Sequence, residues 1–166
     1  MDPHCVPLHT IAELYRRLFL SCLDGLTDTQ AGERLSNSTS SLLFLLAHLL
    51  DARAYLVTLA GGELSHPLVG QLRSVAQVED ISIVPCLEDF RSGWESVSVA
   101  LLSRLPALEA NDLGRASTDR MPVLDQTVLG ALTFLLQHES YHLGQLAMLK
   151  KHLTGKAMKY TWKATP

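Results

Sequence analysis

Four long stretches of the chain repeat apolar residues at three- and four-residue spacing, and Gly, Pro, Ser and Asp clusters separate them. That period is the signature of amphipathic helices. The first stretch spans about Leu8 to Leu23, where Ile11, Leu14, Tyr15, Leu18, Phe19 and Cys22 share a face and Arg16 and Arg17 fall off it. The second runs from about Ser40 to Ala60, with Ser38, Thr39 and Ser40 as cap candidates and Gly61-Gly62 as a stop. Its first half is apolar on nearly every side, which predicts deep burial. The third starts near Pro85 or Leu87 and reaches about Leu105, with the stripe Phe90, Trp94, Val97 and Leu101. The fourth runs from about Gln126 to Leu153 and ends at Gly155, with Lys150, Lys151 and His152 at the negative end of its dipole. Gly61 to Pro85 reads as a long loop with room for a helical turn between Val75 and Ile83, and Ala107 to Asp125 as a polar connection. Four helices with one apolar face each predict an all-α four-helix bundle.

A length of 166 residues fits one domain covering residues 1–166. Apolar residues make up 47% and charged residues 19%, enough for a core without disulfide staples. A net charge of −3 and the lack of a basic block argue against nucleic acid as a partner. The longest apolar stretch, Leu42 to Leu50, is interrupted by His48 and followed by Asp51 and Arg53, so no membrane span is expected. Asp2, His4 and Pro7 stand where a secretory leader would carry basic residues before a hydrophobic run. Cys5, Cys22 and Cys86 are too few and too scattered for a disulfide framework, and a cytoplasmic location is expected.

The chemistry concentrates in Leu135-Leu136-Gln137-His138-Glu139-Ser140-Tyr141-His142-Leu143-Gly144-Gln145. His138 and His142 are four residues apart, so on a helix their Cβ atoms lie about 5–6 Å apart and both rings can reach one metal ion. Their apolar surroundings predict an inward-facing pair. His48, inside Leu46-Ala47-His48-Leu49-Leu50, is the best third ligand, because an unpaired imidazole in so apolar a run is costly. His4, His9, His66 and His152 read as solvated groups, with Pro7 expected to prevent a helix around His4 and His9. Cys22 and Cys86 read as small core residues. Arg53, five residues after His48, reads either as the nearest candidate cation for a charged cosubstrate or as a solvent-facing residue, Glu139 as a surface or supporting carboxylate about 100° off the ligand face, Tyr141 as packed between helices, and Gln145 as a hydrogen-bonding neighbour of the site.

His138-Glu139-Ser140-Tyr141-His142 matches the HExxH string of zinc proteases, in which the Glu is the base. The third zincin ligand is missing: Met148 stands six residues after His142, and no Asp or Glu follows Glu139. A zincin-like protease is therefore the weakest of three readings. A much closer match covers nearly the whole chain. The His48 segment, Phe90-x-x-x-Trp94-x-x-Val97 and His138-Glu139-Ser140-Tyr141-His142-Leu143-Gly144-Gln145 together resemble the DinB-like (DinB/YfiT) superfamily of metal-binding four-helix bundles. The resemblance implies one His from the second helix and two from the last around a divalent metal, commonly zinc or nickel. It also implies a long second crossover in place of an up-down meander, and a homodimer. Related members look like thiol-dependent transferases or isomerases using low-molecular-weight thiols. The leading expectation is thus a metal-dependent enzyme on a small molecule, of S-transferase or hydrolase type. The alternative is a non-catalytic metal-binding or stress-response protein.

Overall fold

The computed structural model describes residues 1–36, 39–64, 66–74 and 84–160. Ser38, the turn considered at Val75–Ile83 and the end of the basic tail lie outside the described residues. Among those residues the chain is helical, with one isolated bridge between Ala116 and Thr127. The helices are α1 (Cys5–Leu23), α2 (Asp28–Ala31), α3 (Leu42–Leu59), α4 (Pro67–Arg73), α5 (Leu87–Arg104), α6 (Ala110–Gly114) and α7 (Val128–Thr154).

The four long helices fall within a few residues of the sequence expectation, and their ends have chemical causes. α1 begins three residues early because Pro7 sits in its first turn, where no intrahelical N–H bond is lost. The cap of α3 is Ser41, whose Oγ accepts the Phe44 N–H at 3.0 Å, one residue beyond the candidates Thr39 and Ser40. Gly61 follows in a left-handed conformation, φ +69°, ending α3 as expected. Thr127 caps α7, and Gly155 at φ +69° closes it. Gly130 in the first turn of α7 has no room for a side chain, since a Cβ there would come within 2.8 Å of the Asp125 carbonyl carbon. The short helices were not anticipated. α2 carries a reciprocal Thr27–Gln30 capping box, and α4 opens on Pro67, both of which are start signals visible in hindsight.

α3 packs against α5 and α7, and α1 packs against the same two helices. The cyclic order is therefore α1, α5, α3, α7, with α1 diagonal to α3 and α5 diagonal to α7. This is no simple meander. The diagonal crossings are the first and third connections, while the long second connection joins neighbours. α3 is buried almost all round, from Leu42 through Leu59. By length and composition it could cross a membrane, with mean hydropathy 1.6 over 18 residues, contrary to the reading of the Leu42–Leu50 stretch as too short. Here 72% of that window is buried inside the bundle.

The middle of the core is polar. Arg53 of α3 and Glu139 of α7 are both fully buried and form a two-pronged pair, Nε to Oε1 at 2.9 Å and Nη2 to Oε2 at 2.7 Å. The Arg53 Nη1 also donates to Ser98 Oγ on α5, at 2.8 Å, and its Nη2 to the Ala12 carbonyl on α1, at 3.2 Å. Its guanidinium lies 4.0 Å over the Trp94 ring, which stacks on Phe19 at 4.0 Å and donates its indole N–H to the Arg16 carbonyl. One arginine thus ties all four long helices together. This corrects the reading of Arg53 as solvent-facing and of Glu139 as a surface group.

Candidate metal centre

His48, His138 and His142 come together at the α3–α7 seam, with one ligand-capable atom from each lying within 4.8 Å of the others. The Nε2 atoms of His48 and His138 face each other at 2.8 Å. The His142 ring lies 4.6 Å from that of His48 and 4.4 Å from that of His138, nearly perpendicular to both. The His142 Nδ1–H donates to Gln145 Oε1 at 2.7 Å, and the Gln145 amide N–H donates in turn to the Tyr141 hydroxyl at 3.2 Å. Gln145 therefore fixes the tautomer that leaves the His142 Nε2 as a lone-pair donor.

The expected i, i+4 geometry is present, but the direction of the pair differs from expectation. The three rings are half-buried, and it is Glu139, one position along, that points into the core. The pattern around these positions explains why. Leu132, Leu135, Leu136, Leu143 and Leu146 are all buried, and position 139 lies in the middle of their stripe. His138 and His142 lie beside it. Arg53 occupies the matching place on α3, with Leu49, Leu50, Leu56 and Val57 buried one turn to either side. A charge centred in an apolar stripe on each of two helices is the signal by which the pair was legible.

Aromatic residues ring the site. Phe44 stacks on His48 and Phe134 on His138, while Tyr141 meets His142 edge-on at 4.9 Å. Tyr141 is 59% exposed and does not pack between helices as expected. Asp51, one turn beyond His48, pairs with Arg73 of α4 at 2.6 Å on the rim. Burial, followed by the neighbouring His142 and His138 rings, lowers the His48 pKa below its ordinary 6.5, with Asp51 opposing. Burial and then His142 lower that of His138. Both shifts favour the neutral imidazole, the form that donates to a metal. Two ring nitrogens aimed at each other at 2.8 Å, with a third locked in the donating tautomer, fit a single divalent cation.

The remaining histidines and cysteines stand apart from this cluster. His4 bonds Asp2 at the exposed start of the chain, and His152 is exposed in the last turn of α7. His66 is only half exposed, and its Nδ1 is buried without a hydrogen-bond partner. Cys5 and Cys22 are buried, whereas Cys86 is half-buried and so is not the core residue it was expected to be.

The Glu139 carboxylate is bound at both oxygens by Arg53, so it does not serve as a base at the histidines. Fold and site together define a helical bundle with a three-histidine cluster between its second and last long helices. The DinB superfamily model matches residues 12–146, and the chain belongs to that superfamily. No curated protein matches the chain.

Proposed function

We propose that the protein is a divalent-metal-dependent enzyme acting on a small molecule, of thiol S-transferase or hydrolase type. The observation that carries this reading is the half-buried placement of three converging imidazoles whose cluster, among the described residues, includes no carboxylate or thiolate to complete a shell. A closed structural site uses four protein ligands, whereas a catalytic one keeps a position free. A zinc or nickel ion there would supply Lewis acidity, lowering the pKa of a thiol or water brought to it. His48, His138 and His142 hold the cation through neutral nitrogens and so leave its charge uncompensated. Gln145 orients His142, Phe44 and Phe134 exclude water from two flanks, and the Arg53–Glu139 pair fixes the relative height of α3 and α7. The reading includes a cytoplasmic setting. It also includes a homodimer, for which family membership is the support, because the apolar excess at Leu42–Leu46 and Leu132–Leu136 is largely consumed inside one chain.

The test joins metal analysis of purified protein to a thiol-conjugation assay over several thiols. One equivalent of metal, lost in His48→Ala or His138→Ala variants that keep wild-type helicity, is the expected result. Conjugation that disappears with the metal supports the enzyme. Metal that is bound but inert towards every thiol and ester tried supports the non-catalytic alternative.

A further inference from the structure

The chain has a second feature next to the three histidines. A cavity of about 210 Å³ lies between the α2–α3 connection and α7. Leu45, Leu149, Met148 and Leu35 form its apolar wall, and Gln145 belongs to it as well. Gln145 is the residue that bonds His142, and Leu45 lies one turn before His48 on α3, so the cavity adjoins the histidine cluster along both helices. Its remaining rim is Thr39 and Ser40, and no charged side chain appears among the lining residues.

The geometry points to this cavity as the seat of an uncharged aryl or short alkyl group, carried by the molecule whose donor atom reaches the three histidines. This rests on the metal reading above and adds the class of substrate. Three features support it. The volume is below the range of whole-ligand pockets, about 300–1,000 Å³, but exceeds the roughly 150 Å³ that accepts a benzene ring. It therefore suits one part of a ligand, with the rest lying over the histidines. The lining offers no cation for a carboxylate and no carboxylate for an ammonium, and Arg53, five residues after His48, is spent in the core. Exposed apolar side chains also gather here: Leu35, Phe44, Tyr141 and Met148 are all exposed around the cavity and the cluster. A patch of this kind beside a polar centre marks a binding site. A multiply charged thiol would leave its ionic groups unpaired against this wall, whereas each buried CH2 of an apolar substrate gains about fourfold in affinity.

The test uses the full chain with cobalt(II) and two thiols, phenylmethanethiol and 2-sulfanylethanol, read by thiolate-to-cobalt charge-transfer absorption. Phenylmethanethiol should bind at least about tenfold more tightly. Ser40→Phe, which fills the cavity from its exposed rim, and Met148→Glu, which charges it, should each abolish that advantage while cobalt uptake and 2-sulfanylethanol binding stay unchanged. Equal affinity for the two thiols in the unaltered protein, or an advantage that survives both variants, overturns the proposal. A second arm needs no metal: toluene should shift the Met148 methyl resonance of the cobalt-free protein, and less so in Ser40→Phe. Toluene binding without cobalt uptake would leave the apolar seat standing and sink the metal reading beneath it. Cobalt–thiolate bands without toluene binding or thiol preference would do the reverse.

Discussion

The three cysteines differ in environment far more than their scattered positions suggest. Cys22 is fully buried in α1, and burial pushes its thiol pKa up to about 12. Cys5, also fully buried, is raised by the same cause. Since the thiolate is the reactive form, neither should titrate with a disulfide reagent at neutral pH. Half-buried Cys86, just ahead of α5, is the exception. Reaction of the native protein with Ellman's reagent should therefore release one fast equivalent, and all three only after unfolding in guanidinium. A fast phase that persists in Cys86→Ser would show that the first turn of α1 opens readily. Any thiol conjugation by this protein should also survive Cys86→Ser, because none of its cysteines adjoins the histidines.

At the scale of the helices, the Arg53–Glu139 pair decides how α3 and α7 meet. Removing one member of a buried ion pair strands the other charge and costs about 3–5 kcal/mol, whereas replacing both with apolar residues of similar volume is often neutral. Urea denaturation should accordingly find Glu139→Gln and Arg53→Met each strongly destabilised, and the double variant Arg53→Met/Glu139→Leu restored to within about 1–2 kcal/mol of the parent. Additive losses in the double variant would mean that the contacts to Ser98, Ala12 and Trp94 matter more than the pairing. The same residues mark the boundary of what the sequence revealed. Hydrophobic period located all four long helices, ligand spacing singled out His138 and His142 as candidates, and its place in an apolar run singled out His48. All three are local signals, carried within one helix each. The Arg53–Glu139 pair is not local: each charge sits inside the apolar stripe of its own helix, but nothing in that helix says which charge, 86 residues away, answers it. The diagonal order of the helices was hidden for the same reason, since the period of a stripe does not say which neighbour covers it. α2, α4 and α6 are too short to show a period at all.

For the molecule as a whole, the histidine cluster links stability to acidity. In the unfolded chain His48 and His138 titrate near 6.5, and in the folded one lower. Below that value the unfolded state takes up protons that the folded state refuses, so stability rises with pH. The contribution is complete above 6.5 and is lost as the pH falls through 6.5 toward the depressed folded values. Melting temperatures of chelator-treated protein, followed from about pH 8 to about pH 5, should fall on the acid side, and fall less in His138→Gln. A profile that is flat across that range in the unaltered chain would contradict the burial of these rings.

His48 and His138 are separated by 90 residues, with most of the chain between them. A growing polypeptide therefore carries His48 long before it carries the rest of the site, and the i, i+4 pair in α7 is made only after α1, α3 and α5. Before the last helix has docked there is at best a weak two-nitrogen chelate. Tight metal capture and completion of the tertiary structure would then be one event. A metal ion at this site would be acquired only once α7 has docked, and a truncated or misassembled copy would be left empty-handed.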